Sequence, residues 1–386
     1  MGQEYIHRAI ESTIKEAGKY FSVITVTGPR QSGKTTMLRH LYQNLHYYSL
    51  ENLDTRAFAM EDPLRFLTMH EEGMVLDEVH NAPGLFSYIQ GIVDENPSKR
   101  FILSGSSNFS LLHKVSQSLA GRAGVFELLP LSYKEIGDNA SSYVCDIDSL
   151  LYGGLYPAVC TGKNLPRFLY PSYVKTYLER DVRNIIAVKD ISQFNTFLKL
   201  CAARIGSVFN ATELANEIGV STKTIQAWLS ILQASYVVYL LPPYFENSRK
   251  RLTKSPKLYF CDTGLACSLL DIESKEQLSR DKMRGHLFEN LIVMEMLKRR
   301  FNEGKDGNLF FYRDSHMCEV DLLVGNTHSM EAYELKSAMT YSTDFEKVLK
   351  KIDEWITPEL TRKAIVYTGS LENRNGDIEL LNYAHL

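Results

Sequence analysis

Cysteine is scarce and scattered. The six residues (Cys145, Cys160, Cys201, Cys261, Cys267, Cys318) form no C-x-x-C pair and have no histidine at zinc-ligand spacing. They read as reduced, mostly buried side chains of a cytoplasmic protein. Long apolar runs are also missing, and no stretch is long enough to span a bilayer. Met1-Gly2-Gln3-Glu4-Tyr5 has neither the basic nor the apolar region of a secretory signal, so neither export nor a membrane partner is expected. No charge dominates: 43 Lys and Arg against 46 Asp and Glu leave −3. A nucleic-acid surface must therefore be a local patch. With 386 residues there is room for two or three domains.

Against this background, Gly28-Pro29-Arg30-Gln31-Ser32-Gly33-Lys34-Thr35 stands out. It fits the phosphate-binding pattern G-x-x-x-x-G-K-[ST], after an apolar strand (22–27) and before a helical segment that opens at Thr36. Gly28 and Gly33 let the backbone curl so that successive N–H groups face phosphate oxygens. The helix that follows adds its positive end. Lys34 can reach the β- and γ-phosphates of ATP, and the Thr35 hydroxyl can join a Mg²⁺ shell.

Met74-Val75-Leu76-Asp77-Glu78 is an apolar strand ending in two carboxylates. In proteins with such a loop, an acid on a neighbouring strand holds Mg²⁺ and the next acid orients the attacking water. Asp77 is assigned to Mg²⁺ and Glu78 to the base. A further strand, Arg100 to Leu103, runs into Ser104-Gly105-Ser106-Ser107-Asn108. A polar residue there can sense the γ-phosphate or simply close a strand.

Residues 1–140 alternate strand and helix, with strands expected at 22–27, 46–50, 73–77, 100–104 and 124–129, the pattern of an α/β sheet with crossover helices. Residues 141–205 read as a helical subdomain. Residues 206–262 have helix-turn-helix grammar: Ala211 to Ile218, the turn Gly219-Val220-Ser221, then Thr222 to Leu232 with Ser221 as its cap. Two strands around the basic loop Arg249-Lys250-Arg251 complete a winged helix. Lys223, Thr224 and Gln226 would face a DNA groove and the loop its phosphates. Equally, such a module can serve as a spacer or a protein contact.

Residues 263–386 carry a second pattern. A helix from Arg284 is followed by strands at 309–313, 318–324 and 330–336, a helix from Phe345 to Trp355, and a strand at 364–367. This α-β-β-β-α-β order resembles the restriction-endonuclease-like fold of the PD-(D/E)xK superfamily. Asp321 lies in an apolar strand, Glu334-Leu335-Lys336 supplies the E-x-K, and Val320 replaces the motif's proline. Period 2 puts Glu334 and Lys336 on one face. Asp321 and Glu334, with Glu289 as a further ligand, would bind Mg²⁺, and Lys336 would stabilise developing charge.

As a whole, the chain resembles a family of prokaryotic AAA-type ATPases with a C-terminal restriction-endonuclease-like domain. The carrying residues are Gly28 to Thr35, Leu76 to His80, Leu103 to Ser107, Ala120-Gly121-Arg122, Tyr177 to Asp181 and Glu334 to Lys336. The resemblance implies an α/β chain: a P-loop AAA-type core, a helical subdomain, a winged helix-turn-helix and the nuclease-like domain. It also implies ring homo-oligomers, for instance hexamers, in which Arg122, Arg180 or Arg183 would reach a neighbour's nucleotide. The expected function is Mg²⁺-dependent ATP binding and hydrolysis coupled to DNA binding or processing, DNA cleavage included. The alternative is a nucleotide-dependent switch, cycling between ATP and ADP, whose nuclease-like domain binds DNA or a protein without cutting.

Overall fold

The computed structural model describes residues 5–106, 115, 118–137, 146–178, 191–245, 255–314 and 318–386, the side chains of 177 and 178 excepted. It divides into two compact units: 1–135 with 234–236 and 298–306, and 136–233 with 237–297 and 307–386.

The first unit is built on five parallel strands: β1 (Val23–Thr27), β2 (His46–Ser49), β3 (Gly73–Asp77), β4 (Arg100–Gly105) and β5 (Ala123–Glu127). Their order across the sheet is β2-β3-β4-β1-β5. Side chains alternate between two cores, as a pleated strand requires. Met74, Leu76, Phe101 and Leu103 pack on one face with Leu85, Phe86, Ile89 and Val93 of helix Leu85–Glu95. Ile24, Val26, Val75 and Ile102 pack on the other with Met37 and Leu38 of helix Lys34–Leu41. Both faces are covered, which is why these strands read as continuous apolar runs. All five strands lie where the sequence places them, within a residue or two. One detail differs. The acid-bearing strand β3 is not next to β1, because β4 lies between them.

In the second unit, helices Ala211–Ile218 and Thr222–Ala234 are joined at Gly219, which takes the left-handed conformation (φ 78°). Strands β6 (Val238–Leu241) and β7 (Lys257–Phe260) form an antiparallel pair. A six-stranded sheet follows, with β8 (Leu309–Arg313), β9 (Glu319–Gly325), β10 (Ser329–Lys336), β11 (Glu359–Tyr367), β12 (Asn373–Asn375) and β13 (Ile378–Asn382) in the order β12-β13-β11-β10-β9-β8. The segments expected as helical, winged and nuclease-like domains fall in this unit, except residues 234–236 and 298–306, which are grouped with the first.

The helix expected from Phe345 to Trp355 is corrected by the structure. Two 3₁₀ turns, Thr343–Glu346 and Ile352–Glu354, take its place. The apolar spacing was sound, since Leu349, Ile352 and Ile356 are buried in the sheet's core. The backbone is diverted because Glu346 is pinned at the start of the segment. Its carboxylate accepts from Tyr341, from Asn375 of β12 and from Lys350. Strand β12, which supplies Asn375 to this anchor, and its partner β13 were not anticipated.

Candidate nucleotide site and carboxylate cluster

The glycine-rich loop leaves β1 at Gly28 and enters the helix at Lys34. Gly28 (φ 150°), Gln31 (φ 62°) and Gly33 (φ 96°) turn its backbone inward. A Cβ on Gly28 would stand 2.2 Å from the Leu128 carbonyl oxygen, so only glycine fits there. Ser32 is fully buried, Arg30 pairs with Glu51 at 3.7 Å, and Gln31 and Thr36 are exposed. The Lys34 ammonium is buried and donates to the Gly28 and Pro29 carbonyls at 2.8 Å. Burial pulls its pKa down to about 8, with Glu78 and Asp77 partly opposing.

Asp77 ends β3 and gathers three hydroxyls. Thr35 Oγ1 donates to Oδ2 at 2.7 Å, Tyr47 donates to the same oxygen, and Ser104 donates to Oδ1. Hard oxygen donors grouped this way suit a divalent cation such as Mg²⁺. Because β4 lies between β1 and β3, its end delivers Ser104 to the gap between loop and acid. Glu78 takes a left-handed backbone (φ 52°), which turns its carboxylate to the Ser106 N–H at 3.0 Å and to His80 Nδ1 at 3.1 Å. Burial favours its neutral form, but His80, Lys34 and Ser106 outweigh that and carry its pKa down to about 2. Glu78 is therefore ionised, the form a water-orienting base requires.

In the second unit, the β9–β10 ladder pairs Leu322 with Tyr333, which brings Asp321 level with Glu334. Asp321 Oδ2 accepts the Leu335 N–H at 2.9 Å and faces Lys336 Nζ at 3.4 Å. Lys336 also donates to Glu334 Oε1, whereas Glu334 Oε2 is buried with no hydrogen-bond partner. Burial, then the charge of Asp321, pushes the Glu334 carboxyl well above the usual range. Glu289, on helix Arg284–Asn302, is raised by the same two causes. It accepts from Tyr259 at 2.6 Å and from Lys257 at 3.1 Å, and Lys257 also binds Glu319. Asp321, Glu334 and Lys336 thus meet, while Glu289 is held by Lys257. Among the described residues, no three Asp, Glu, His or Cys side chains converge closely enough to hold an ion as they stand.

Residues 20–137 match the AAA domain family. Residues 145–276 and 284–386 match two domains of unknown function, DUF8612 and DUF4143. Two proteins described as uncharacterized, from Mycobacterium bovis and Mycobacterium tuberculosis, are 30% identical to this chain over 351 residues, spanning 90% of it and 76% of each relative. The chain belongs to their family, as an AAA-domain P-loop ATPase. A Walker-type ATPase of Pyrococcus abyssi covers 69% of this chain and 97% of its own at 11% identity, with a TM-score of 0.48, too loose a likeness to carry weight.

This AAA-domain ATPase has functional side chains that sequence reasoning missed. Arg8 is buried beneath the loop, donating to the Ser32 and Leu129 carbonyls at 2.8 Å and pairing with Glu135. An arginine twenty residues before the motif gives no periodic or motif signal. Tyr47 was read only as part of a strand, and its hydroxyl reaches Asp77 because β2 lies beside β3. Lys257, the first residue of β7, is nearly fully buried and carried no signal in the sequence. Ser107, Asn108, Arg180, Arg183 and the Arg249-Lys250-Arg251 loop lie outside the described residues. No helix of the described residues is long and apolar enough to cross a membrane.

Proposed function

We propose that this AAA-domain ATPase is Mg²⁺-dependent, works in the cytoplasm and couples ATP turnover to DNA. In this reading the loop from Gly28 to Thr36 wraps the phosphates and Lys34 leaves its two carbonyls for the β- and γ-oxygens. Thr35 and Asp77 would hold Mg²⁺, which when bound would supply positive charge to the phosphates. Glu78 orients the attacking water, and Ser104 and Ser106 fix the two acids. The helix pair at 211–234 with the β6–β7 ribbon acts as a winged helix, presenting the exposed Lys223 and Gln226 to DNA. Ring assembly belongs to the same reading.

The observation that carries the DNA half is the Asp321–Glu334–Lys336 cluster with its unpartnered, buried Glu334 oxygen. A buried carboxylate oxygen without a partner is costly, and a divalent cation shared with Asp321 would remove that cost. When bound, the cation supplies Lewis-acid activation of a phosphodiester. Lys336 holds positive charge beside it, because Asp321 and Glu334 together outweigh the effect of burial on its pKa.

One observation favours the non-cleaving switch as a second reading. Lys257 and Lys336 already place two ammonium groups among these carboxylates, which neutralises the cluster without a metal. A nuclease assay separates the two. Linear, branched and single-stranded DNA are incubated with Mg²⁺ or Mn²⁺, with and without ATP, beside a Lys336→Ala variant. Cutting that disappears in the variant while ATP turnover persists supports processing. Uncut DNA under every condition leaves the switch.

A further inference from the structure

A cleft of about 970 Å³ opens in the first unit at the edge where the parallel strands begin. The phosphate loop is at the other edge, beyond Thr27, and the five residues of β1 put about 17 Å between the two. The cleft is therefore separate from the nucleotide site. Phe21, Leu41, Tyr42 and Leu45 give it apolar walls, and Lys15, Lys19, Lys99 and Arg100 line it with four positive charges. Glu71 and Glu72 are its only carboxylates among the described residues, and both are exposed.

Lys99 is the decisive side chain. Only 5% of it is exposed, yet among the described residues no hydrogen bond or ion pair reaches its ammonium. Burial pushes its pKa down, and the charge of Glu71 offsets only part of that. Folding has paired nearly every other buried charge of this unit: Arg8 with Glu135, Lys34 with two carbonyls, Asp77 with three hydroxyls. An ammonium that reaches the cleft with no partner among the described residues keeps its donors open to an anion. Beside it, Arg100 spends one N–H on the Phe21 carbonyl at 3.1 Å. That bond holds the guanidinium at the cleft wall with donors to spare.

We propose that this cleft binds a small phosphomonoester with a flat apolar body, its phosphate on Lys99 and Arg100 and its body on Phe21, Leu41 and Tyr42. Lys15 and Lys19, both exposed, draw the anion in and add less to holding it.

The test titrates phenyl phosphate, inorganic phosphate and benzyl alcohol calorimetrically into the full chain. The phosphate loop is first saturated with Mg²⁺ and a non-hydrolysable ATP analogue, so that its γ-phosphate position is filled. One equivalent of phenyl phosphate is expected to bind, more tightly than either other probe. Lys99→Met should weaken it about tenfold or more, and Lys99→Arg should keep most of the affinity. Lys99→Met should leave the melting temperature close to the parent's, because no hydrogen bond or ion pair of the described residues is lost. Should Lys99→Met fail to fold, Lys15→Gln with Lys19→Gln reads the same surface and should weaken phenyl phosphate several-fold. Absence of phenyl phosphate binding, equal binding by Lys99→Met, or benzyl alcohol binding as well as phenyl phosphate would each overturn the assignment.

Discussion

Asp77 and Glu78 are adjacent in the chain and held in opposite ways. Asp77 ends an extended strand and collects hydroxyl donors from three different elements. Glu78 steps into a left-handed backbone, which aims its carboxylate away from Asp77 toward Ser106 and His80. Two carboxylates pointing together would repel and share a proton; burial would raise the Glu78 carboxyl, but His80, Lys34 and Ser106 outweigh it and keep Glu78 ionised. Glu78→Gln keeps the shape and removes the charge. Expected is ATP affinity within a few-fold of the parent and turnover reduced by about a hundredfold or more. Measuring the nucleotide Kd and kcat separately checks this, and an equal fall in both would contradict the assignment. Lys34→Ala should instead abolish binding. It removes the phosphate contact and leaves the Gly28 and Pro29 carbonyls facing inward without a donor.

Among the larger elements, the segment from Thr343 to Ile356 shows how one anchored side chain overrides a helical pattern. The apolar residues face the core at helix-like spacing, but Glu346 is fixed from three sides. Lys350, Tyr341 and Asn375, against a smaller effect of burial, hold its carboxyl down at about 2, from an ordinary 4.5. The sign follows from linkage: a folded-state pKa below the unfolded one contributes stability above pH 4.5 and loses it as pH falls toward 2. Glu346→Gln should lower the urea midpoint at neutral pH and lose less further stability than the parent between pH 4.5 and pH 3. A variant whose acid limb matches the parent's would show that the anchor is not this carboxylate.

For the assembled molecule, the position of Arg122 bears on how a ring would work. Arg122 precedes β5, whose Ala123 pairs with Val23 at the start of β1. It therefore lies at the edge of the sheet opposite the phosphate loop, and its guanidinium forks onto Asp94 at 2.6 and 2.9 Å. An arginine serving a neighbour's γ-phosphate belongs near the other edge, so this position favours a local surface pair for Arg122. Arg122→Ala is expected to leave ATP turnover within about twofold of the parent at every protein concentration tested. A loss that grows with protein concentration would reinstate Arg122 as the residue acting across a ring.

Much of this protein was legible in its order of residues. Phosphate binding needs contiguous backbone, so Gly28 to Thr35 announced itself, and short apolar runs ending in polar residues located all five parallel strands. Glu334 and Lys336 share a face because strands alternate, a rule that needs only their spacing. Other features depend on which strands become neighbours. The placement of β4 between β1 and β3 brought Ser104 to Asp77, and β2 beside β3 brought Tyr47 there. Arg8 reached the loop through the fold alone. So did Lys257, whose ammonium reached Glu289, and Glu346, whose partners accompany 3₁₀ turns where a helix was expected. Local geometry is written in consecutive residues, whereas the partner of a buried charge is set by long-range packing, which no short window of sequence contains.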